Sequence, residues 1–178
     1  MTRTLGITRP HVDEFLPYFG RYIDLVPDGN LLATLRGLVR EVCVALEAID
    51  PAAVARRPAL GEWSPLDIAV HLADTERVLT YRAFTFARRD GAELPGVEFE
   101  EFAEVADANG RRVNDVVAEL LAVRASSVAL FRSLTAVAWT NRGIASGAEI
   151  SVRALAYVIA GHELHHLVDL RLAADSTE

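Results

Sequence analysis

The sequence predicts an all-α fold, a bundle of four long helices, and three observations support this prediction. Four segments carry apolar residues at alternating spacings of three and four, which is the period of an amphipathic helix. No stretch alternates apolar and polar residues in the way typical of a strand. Of the 178 residues, 51% are hydrophobic, which is enough for one well-packed core. We therefore expect residues 1–178 to form a single domain.

The N-terminal part is predicted to be an irregular arm followed by the first long helix. Residues 1–29 are rich in Tyr, Phe and Pro and show no clear period, so we expect an extended arm with a turn or two, packed on the bundle. A helical stripe begins near residue 30 and ends before Pro51. Cys43 lies beside that stripe, which predicts a buried and unreactive thiol. The stripe consists of Leu31, Leu35, Leu38, Val42, Ala45 and Ile49.

The second helix has the clearest start signal in the chain. Ser64 is a good N-cap, Pro65 suits the first helical position, and Asp67 complements the positive end of the helix dipole. We expect this helix to run to about Arg88, because the pair Asp-Gly that follows is a typical stop. Its inward stripe consists of Ile68, Leu72, Thr75, Leu79, Arg82 and Phe86.

A long connection, residues 89–110, separates the second and third helices. Connections in helix bundles usually have about two to eight residues, so this one predicts a crossover along the bundle. It contains the turn sequence Leu-Pro-Gly at 94–96 and a predicted short helix near 98–107.

The third helix is predicted from about residue 111 to 135, and the fourth from near 149 to about 173. Arg124 interrupts the apolar face of the third helix, in register with Leu121 and Val128. Its aliphatic part could cover the edge of the core while its charge stays in solvent. Alternatively, Arg124 points inward and pairs with a carboxylate or a ligand.

Composition and charge argue against several classes of protein. The net charge of −7 argues against non-specific binding to nucleic acid. All 18 basic residues are arginines, so lysine Schiff-base chemistry and a P-loop are excluded. Cys43 is the single cysteine, so no intramolecular disulfide can form. Because we also find neither a signal peptide nor an apolar run of about 20 residues, we expect a cytoplasmic protein without a membrane partner.

The stretch AGHELHHLVDL, residues 160–170, holds three of the five histidines. His162, Glu163 and His166 match H-E-x-x-H, the zinc motif of many metalloproteases, in which the Glu is the general base. A third ligand usually follows downstream in such enzymes, but residues 167–172 contain neither a glycine nor a histidine. A metallopeptidase is therefore the least favoured hypothesis, and Glu163 remains a candidate general base.

The helical register places two of these histidines on the inward face of the fourth helix. His162 and His166 continue its apolar stripe and lie one turn apart, so they could hold one metal ion. His71 flanks the inward stripe of the second helix and is the natural third ligand. Asp74 and Asp169 follow His71 and His166 by one turn each, and either could orient its histidine.

Each of these residues also has a plainer interpretation. A single inward histidine is more often a core residue with a hydrogen-bond partner than a ligand, so His71 alone would not indicate a metal. Glu163 would face solvent by default, and His165 lies off the inward line, on an outer face or an interface. An inward pair nevertheless needs partners, because an unpaired buried polar group costs about 1–3 kcal/mol. A metal would remove that cost.

Two motifs in combination resemble the DinB/YfiT-like superfamily. The segment GEWSPLDIAVHLADTER, residues 61–77, is similar to that family's signature for its second helix. The pair His162 and His166 on the last helix is similar to its second signature, and the segment YIDLVP at 22–27 fits one branch. The resemblance covers nearly the whole chain. It implies a four-helix bundle that binds a divalent metal, zinc or nickel, through His71, His162 and His166.

The resemblance also implies a range of functions. Family members with known activity include S-transferases that use bacillithiol or glutathione and an isomerase that uses mycothiol, and homodimers are frequent. We therefore expect a metal-dependent enzyme for a small-molecule substrate, either an S-transferase with a low-molecular-weight thiol cosubstrate or a hydrolase. The alternative is a non-catalytic protein, in which the metal is structural or the bundle is a stress-related binding module.

Overall fold

The computed structural model describes residues 7–176 and contains the four long helices that the sequence predicts. Three short helices accompany them. The long helices are α2 (Leu31–Ala48), α3 (Pro65–Arg88), α5 (Val113–Ser133) and α7 (Val152–Asp175), and the short ones are α1 (Pro17–Ile23), α4 (Phe99–Val105) and α6 (Ala136–Thr140). Helices α2 and α3 each pack against both α5 and α7, so α2 and α3 lie diagonally opposite in a four-helix bundle.

The long connection between α3 and α5 is confirmed as a crossover with a short helix of its own. After α3 the chain forms an extended segment, Ala92–Leu94, then α4, then a 3₁₀ turn at Ala108–Gly110. Helix α4 packs against α3. Its residue Phe99 thereby lies beside His71, with the two ring centroids 6.3 Å apart.

The expectation of a chain without strands is wrong in one place. A small sheet joins β1 (Ala92–Leu94), β2 (Arg142–Ala145) and β3 (Ala148–Ser151), with β1 parallel to β2 and β2 antiparallel to β3. Ser146 and Gly147 both have positive φ in the hairpin between β2 and β3, as tight two-residue turns require. Strands of three or four residues are too short to show an alternating pattern. Because β3 ends at Ser151, α7 begins at Val152, three residues later than the predicted start.

The N-terminal arm is more ordered than the sequence predicts. Its described part contains a 3₁₀ turn at Val12–Glu14 and the helix α1, which packs against α7. Buried Glu14 holds the arm in place, since its carboxylate accepts hydrogen bonds from Ser151 Oγ at 2.7 Å and from Arg153 Nε at 2.6 Å. The arm therefore forms one wall of the region beside α7.

The core between the helices is apolar, and it agrees with the predicted stripes of α2 and α3, whereas Leu121 on the predicted apolar face of α5 is exposed. The largest side chains that are less than 2% exposed include Phe86, Phe131, Ile23, Leu35, Leu46, Leu66, Leu155, Leu167 and Leu170. Cys43 is also buried, and burial raises the pKa of its thiol to about 11, which fits the predicted unreactive state. Among residues 7–176, no helix combines the length and the apolar character that crossing a membrane requires.

Candidate metal centre

The start of α3 fixes the position of His71. Ser64 Oγ accepts a hydrogen bond from the backbone N–H of Asp67 at 3.0 Å, and the Asp67 carboxylate accepts one from the backbone N–H of Ser64 at 3.0 Å. This reciprocal pair is a capping box, which satisfies two backbone donors at the helix end. Arg57 Nε holds the same carboxylate at 2.8 Å. His71, in the second turn of α3, is therefore carried by a helix whose first turn is firmly anchored.

The other two histidines lie one turn apart on α7. Ser151 caps this helix by accepting a hydrogen bond from the backbone N–H of Ala154 at 3.0 Å. His162 and His166 follow on the face that meets α3 and α1, as the register predicts. His162 is buried, whereas His166 keeps 13% of its side chain exposed. The pair therefore leads from the core toward the surface.

A glycine beside His162 lets the N-terminal arm approach α7 closely. A Cβ atom on Gly161 would overlap the backbone carbonyl of Tyr22 in α1. With no side chain in the way, the Tyr22 ring lies edge-on to His162, with centroids 5.4 Å apart. Gly161 is therefore required for the packing that places an aromatic ring against the histidines.

The three predicted ligands come together in the structure. One ligand atom from each of His71, His162 and His166 can be chosen so that all lie within 4.8 Å of one another. His71 Nε2 is 3.1 Å from His162 Nε2, although the two residues are 91 positions apart in the chain. Imidazole nitrogens gathered in this way are the donor set that zinc and other divalent transition metals prefer. The chemistry and spacing of the three nitrogens thus fit a metal ion.

Burial keeps these histidines neutral at neutral pH. Burial first, and neighbouring imidazoles second, lower the pKa of His71 to about 4 and that of His162 to about 2. The pKa of His166 is also lowered, first by burial and then by His165, although Asp169 opposes the shift. Only the neutral ring has a free nitrogen lone pair for a metal. The environment therefore favours the form that can bind one.

Asp169 lies beside His166, as the sequence predicts. His166 Nδ1 is 3.5 Å from Asp169 Oδ2, which is the outer limit for a hydrogen bond. By stricter geometry this buried nitrogen has no partner in the described chain. A carboxylate in this position can still tighten onto the ring and orient it when the other nitrogen binds a ligand.

Asp74 has a different partner from the one that the sequence predicts. Its carboxylate accepts a hydrogen bond from Arg77 Nη1 at 2.9 Å at the surface of α3. The hydroxyl of Thr75 lies 3.5 Å from His71 Nδ1 instead. Residues three and four apart on a helix are both neighbours, but the half-buried Asp74 turns to Arg77 at the surface while the buried Thr75 faces the ring. Asp74 therefore does not have the predicted contact with His71.

Two clefts border the histidines. The first, here called the aromatic cleft, has a volume of about 300 Å³ and is lined by Tyr18, Tyr22, Trp63, Phe99 and all three histidines of the centre. The second, the outer groove, has a volume of about 580 Å³ and lies between the segment from Pro58 to Trp63 and the last turns of α7. Trp63 and His166 line both clefts. The aromatic cleft thus touches all three histidines, whereas the outer groove reaches the centre at His166.

The predicted role of Glu163 as a general base does not fit its position. Glu163 is 2% exposed, and its carboxylate accepts a hydrogen bond from Arg124 Nη2 at 2.7 Å inside the bundle. Burial raises its pKa to about 7, which the charge of Arg124 opposes. Glu163 follows His162 by one position in α7, so its side chain points in another direction, away from the aromatic cleft. The expectation that Glu163 faces solvent is also wrong, because its side chain is buried.

The inward alternative for Arg124 is confirmed, and it reveals a residue that the sequence reasoning missed. Arg124 Nε and Nη2 bind the carboxylate of Glu76 at 2.8 and 2.9 Å. The sequence held a signal for Glu76, because it lies four residues after Leu72 and three before Leu79 on the inward face of α3. His165, in contrast, is exposed, as predicted.

Comparisons with known proteins agree with this architecture. The model of the DinB superfamily matches residues 32–169 of the chain. Among solved structures, YfiT from Bacillus subtilis matches with a TM-score of 0.75 and 15% sequence identity, covering 95% of this chain and 93% of that one. A search of curated proteins gives no significant match. On the strength of the family match over most of its length, the chain belongs to the DinB superfamily.

Proposed function

We propose that the protein is a divalent-metal-dependent enzyme acting on a small molecule, with His71, His162 and His166 as the metal ligands. The observation that carries this proposal is the meeting of three neutral imidazoles beside an open cleft. Structural zinc sites are usually closed by four protein ligands, whereas catalytic sites have three and leave room for substrate. Three histidines at a cleft therefore favour catalysis over a purely structural metal.

Zinc and nickel are the candidate ions, because imidazole suits both. A divalent ion supplies Lewis acidity, which lowers the pKa of a nucleophile enough for reaction at neutral pH. The chain's own residues hold the centre and shape its surroundings. Trp63 packs 4.5 Å from the His71 ring and Phe99 lies edge-on to it, so both rings shield the centre from bulk water on the side of the cleft.

Hydrolysis is the reaction that we place first. YfiT, which shares this fold, is described as a probable metal-dependent hydrolase with an unusual four-helix bundle topology. Among the described residues, the lining of the aromatic cleft includes no cysteine or serine that could act as a nucleophile, and Cys43 is buried elsewhere in the core. Water would then be the attacking group.

Transfer of a low-molecular-weight thiol is the second candidate, and one observation favours it. The aromatic cleft and the outer groove meet at Trp63 and His166, so two different molecules could approach the centre at once. A thiol transfer needs two substrates, whereas hydrolysis needs one substrate and water. The two reactions share the same metal ligands and differ in the use of the outer groove.

Metal analysis of the untagged protein tests the ligand assignment. We expect about one zinc or nickel ion per chain after equilibration with either ion, and loss of that ion in His166→Ala. His165→Ala is the matched control, because His165 neighbours the ligands in sequence but is exposed. Failure of the folded wild-type protein to bind either ion would refute the proposal.

A paired screen then separates the reactions and the non-catalytic alternative. One arm offers esters and amides in water, and the other offers electrophiles with bacillithiol, glutathione or mycothiol. Turnover that needs both the metal and His166 in the first arm supports a hydrolase, and turnover only with thiol supports an S-transferase. A metal-loaded protein inactive in both arms would favour a structural or binding role.

A further inference from the structure

Arg82 is a buried cation that has no carboxylate partner among residues 7–176. Its side chain is in the last third of α3 and is 6% exposed. It donates from Nη2 to the backbone oxygen of Pro95 at 3.3 Å and to Ser146 Oγ at 3.1 Å. No carboxylate of residues 7–176 lies within 4 Å of its guanidinium, and burial lowers its pKa with no acid to oppose the shift. The charge is thus bound by neutral groups alone.

Elsewhere in the bundle, a buried arginine has acidic partners. Arg124, which is 3% exposed, binds the carboxylates of both Glu76 and Glu163. Removing a charge from water is unfavourable unless an opposite charge compensates for it. Near Arg82, Glu149 lines an adjoining cavity of about 60 Å³ but pairs with Arg142 at 2.9 Å. No carboxylate in the described part of the chain therefore compensates Arg82, which leaves its charge available to a bound anion.

Arg82 lies in line with the metal centre along α3. His71, Thr75, Leu79 and Arg82 follow spacings of four, four and three, so they share one face of the helix. The aromatic cleft is lined by all four. Eleven residues of α-helix span about 16 Å. The cleft therefore extends from the histidines at one end to the guanidinium of Arg82 at the other.

We infer that the substrate is an elongated molecule with an apolar middle and a terminal carboxylate, which Arg82 binds while the reacting group lies at the histidines. This inference rests on the proposed function. Leu79 lies between Thr75 and Arg82 on this face of α3, and Val158 and Phe19 also line the cleft, so they offer apolar contact to such a molecule. Apolar walls with a few placed polar groups are typical of small-molecule sites.

A carboxylate suits this end of the cleft better than a phosphate. One guanidinium matches the single charge and two oxygens of a carboxylate, and Ser146 offers one further hydroxyl beside it. A phosphate dianion usually engages several cations or a helix N-terminus. The cleft's other arginine, Arg21, is exposed and stacks 3.8 Å from the centroid of Tyr18, and the exposed Glu100 lines the same cleft.

Binding of matched probes tests the inference without turnover. The probes are 4-phenylbutyrate, 4-phenylbutanol and 4-phenylbutyl phosphate, and calorimetry gives their dissociation constants for metal-free and metal-loaded protein. We expect the carboxylate to bind the wild type about tenfold more tightly than the alcohol, because a charge-assisted hydrogen bond is added. Arg82→Met should abolish that preference and leave binding of the alcohol unchanged. Arg88→Met, on the same helix but outside the cleft, should keep the preference.

Several results would overturn the inference. They are equal binding of acid and alcohol to the wild type, binding of neither, tighter binding of the phosphate, or a preference that survives in folded Arg82→Met. If that variant fails to fold, NMR of the wild type decides: the Arg82 Nε–Hε signal should shift with the acid and not with the alcohol. Because the metal-free protein is included, loss of the metal assignment would leave the carboxylate preference measurable.

Discussion

Two clusters of buried polar side chains meet at α7, the ion cluster around Arg124 and the histidine centre. They differ in whether their polar atoms have hydrogen-bond partners. On one face, Arg124 binds Glu76 and Glu163 and donates to the backbone oxygen of Leu35, so each charge in this cluster has a partner. The cavity beside it has a volume of only about 10 Å³. On the next face, His162 and its partners meet one another across an open cleft, and His166 Nδ1 has no well-formed hydrogen bond.

Buried polar side chains within one turn of α7 thus serve two different purposes, the stability of the fold and the binding of a ligand. A sealed and fully paired ion cluster has nothing left to offer a ligand, so we assign it to the fold. Neutral imidazole nitrogens that face an open cleft can still bind a ligand, so we assign the histidine centre to function. The identity of the side chains alone does not make this distinction, since Glu163 sits between two of the histidines in sequence.

The largest expected effect comes from breaking the ion cluster. Arg124→Met should lower the free energy of unfolding by about 3–5 kcal/mol, because Glu76 and Glu163 would remain buried without their cation. Urea denaturation of the metal-free protein measures this change. Arg77→Met is the matched control, since Arg77 pairs with Asp74 and Glu119 at a half-exposed surface and should cost at most about 1 kcal/mol. Equal losses in both variants would contradict the assignment.

Acid should weaken the histidine centre before it weakens the ion cluster. The pKa values of His71 and His162 are lowered in the folded state from 6.5, so the unfolded chain binds protons that the folded chain excludes. Their contribution to stability is complete above pH 6.5 and is lost as the pH falls toward 4. Between pH 7 and pH 5 the loss is about 2 kcal/mol for each histidine in the metal-free protein.

Unfolding curves at pH 7 and pH 5 test whether acidification destabilises the protein as expected. The raised pKa of Glu163 acts in the opposite direction, so the histidines must be isolated by substitution. His162→Gln should reduce the loss on acidification by about 2 kcal/mol, whereas His165→Gln, at an exposed position, should leave it unchanged. An unaltered pH dependence in His162→Gln would show that this ring is not kept neutral by the fold.

The smallest effect concerns the two aspartates that follow the histidines. Asp169→Asn should weaken metal binding by about tenfold, because the carboxylate next to His166 Nδ1 orients that ring. Asp74→Asn should leave the affinity unchanged, since Asp74 binds Arg77 and not His71. Competition with a chromogenic chelator measures both affinities. The opposite ranking of the two variants would mean that α3, and not α7, holds the orienting carboxylate.

Much of the bundle follows from local signals that a single sequence contains. Ser64 and Pro65 mark the start of α3 because capping depends on residues within one turn. The inward register of His162 and His166 follows from the helical period alone. These features need no knowledge of distant contacts, which explains why the helices and the inward register of His162 and His166 were predictable. That His71 joins them across 91 positions was expected from its place beside the inward stripe of α3 and from the family resemblance.

Other features depend on contacts between distant segments. Strand β1 pairs with β2 across some fifty residues, and three-residue strands carry no usable period. The pairing of Arg124 with Glu76 was open because an inward arginine and an edge arginine have the same register. Arg82 appeared in the predicted stripe, but its lack of an acidic partner can be seen only in three dimensions.

The position of Trp63 gives the protein a built-in optical reporter. Its indole lies 4.5 Å from the ring of His71 and 6.0 Å from that of His166, whereas the second tryptophan, Trp139, is buried and stacks on Phe131. With Trp139→Phe, the fluorescence would come from Trp63 alone. A paramagnetic ion such as nickel quenches a neighbouring indole, whereas zinc does not, so the two ions could be told apart by emission in a single titration.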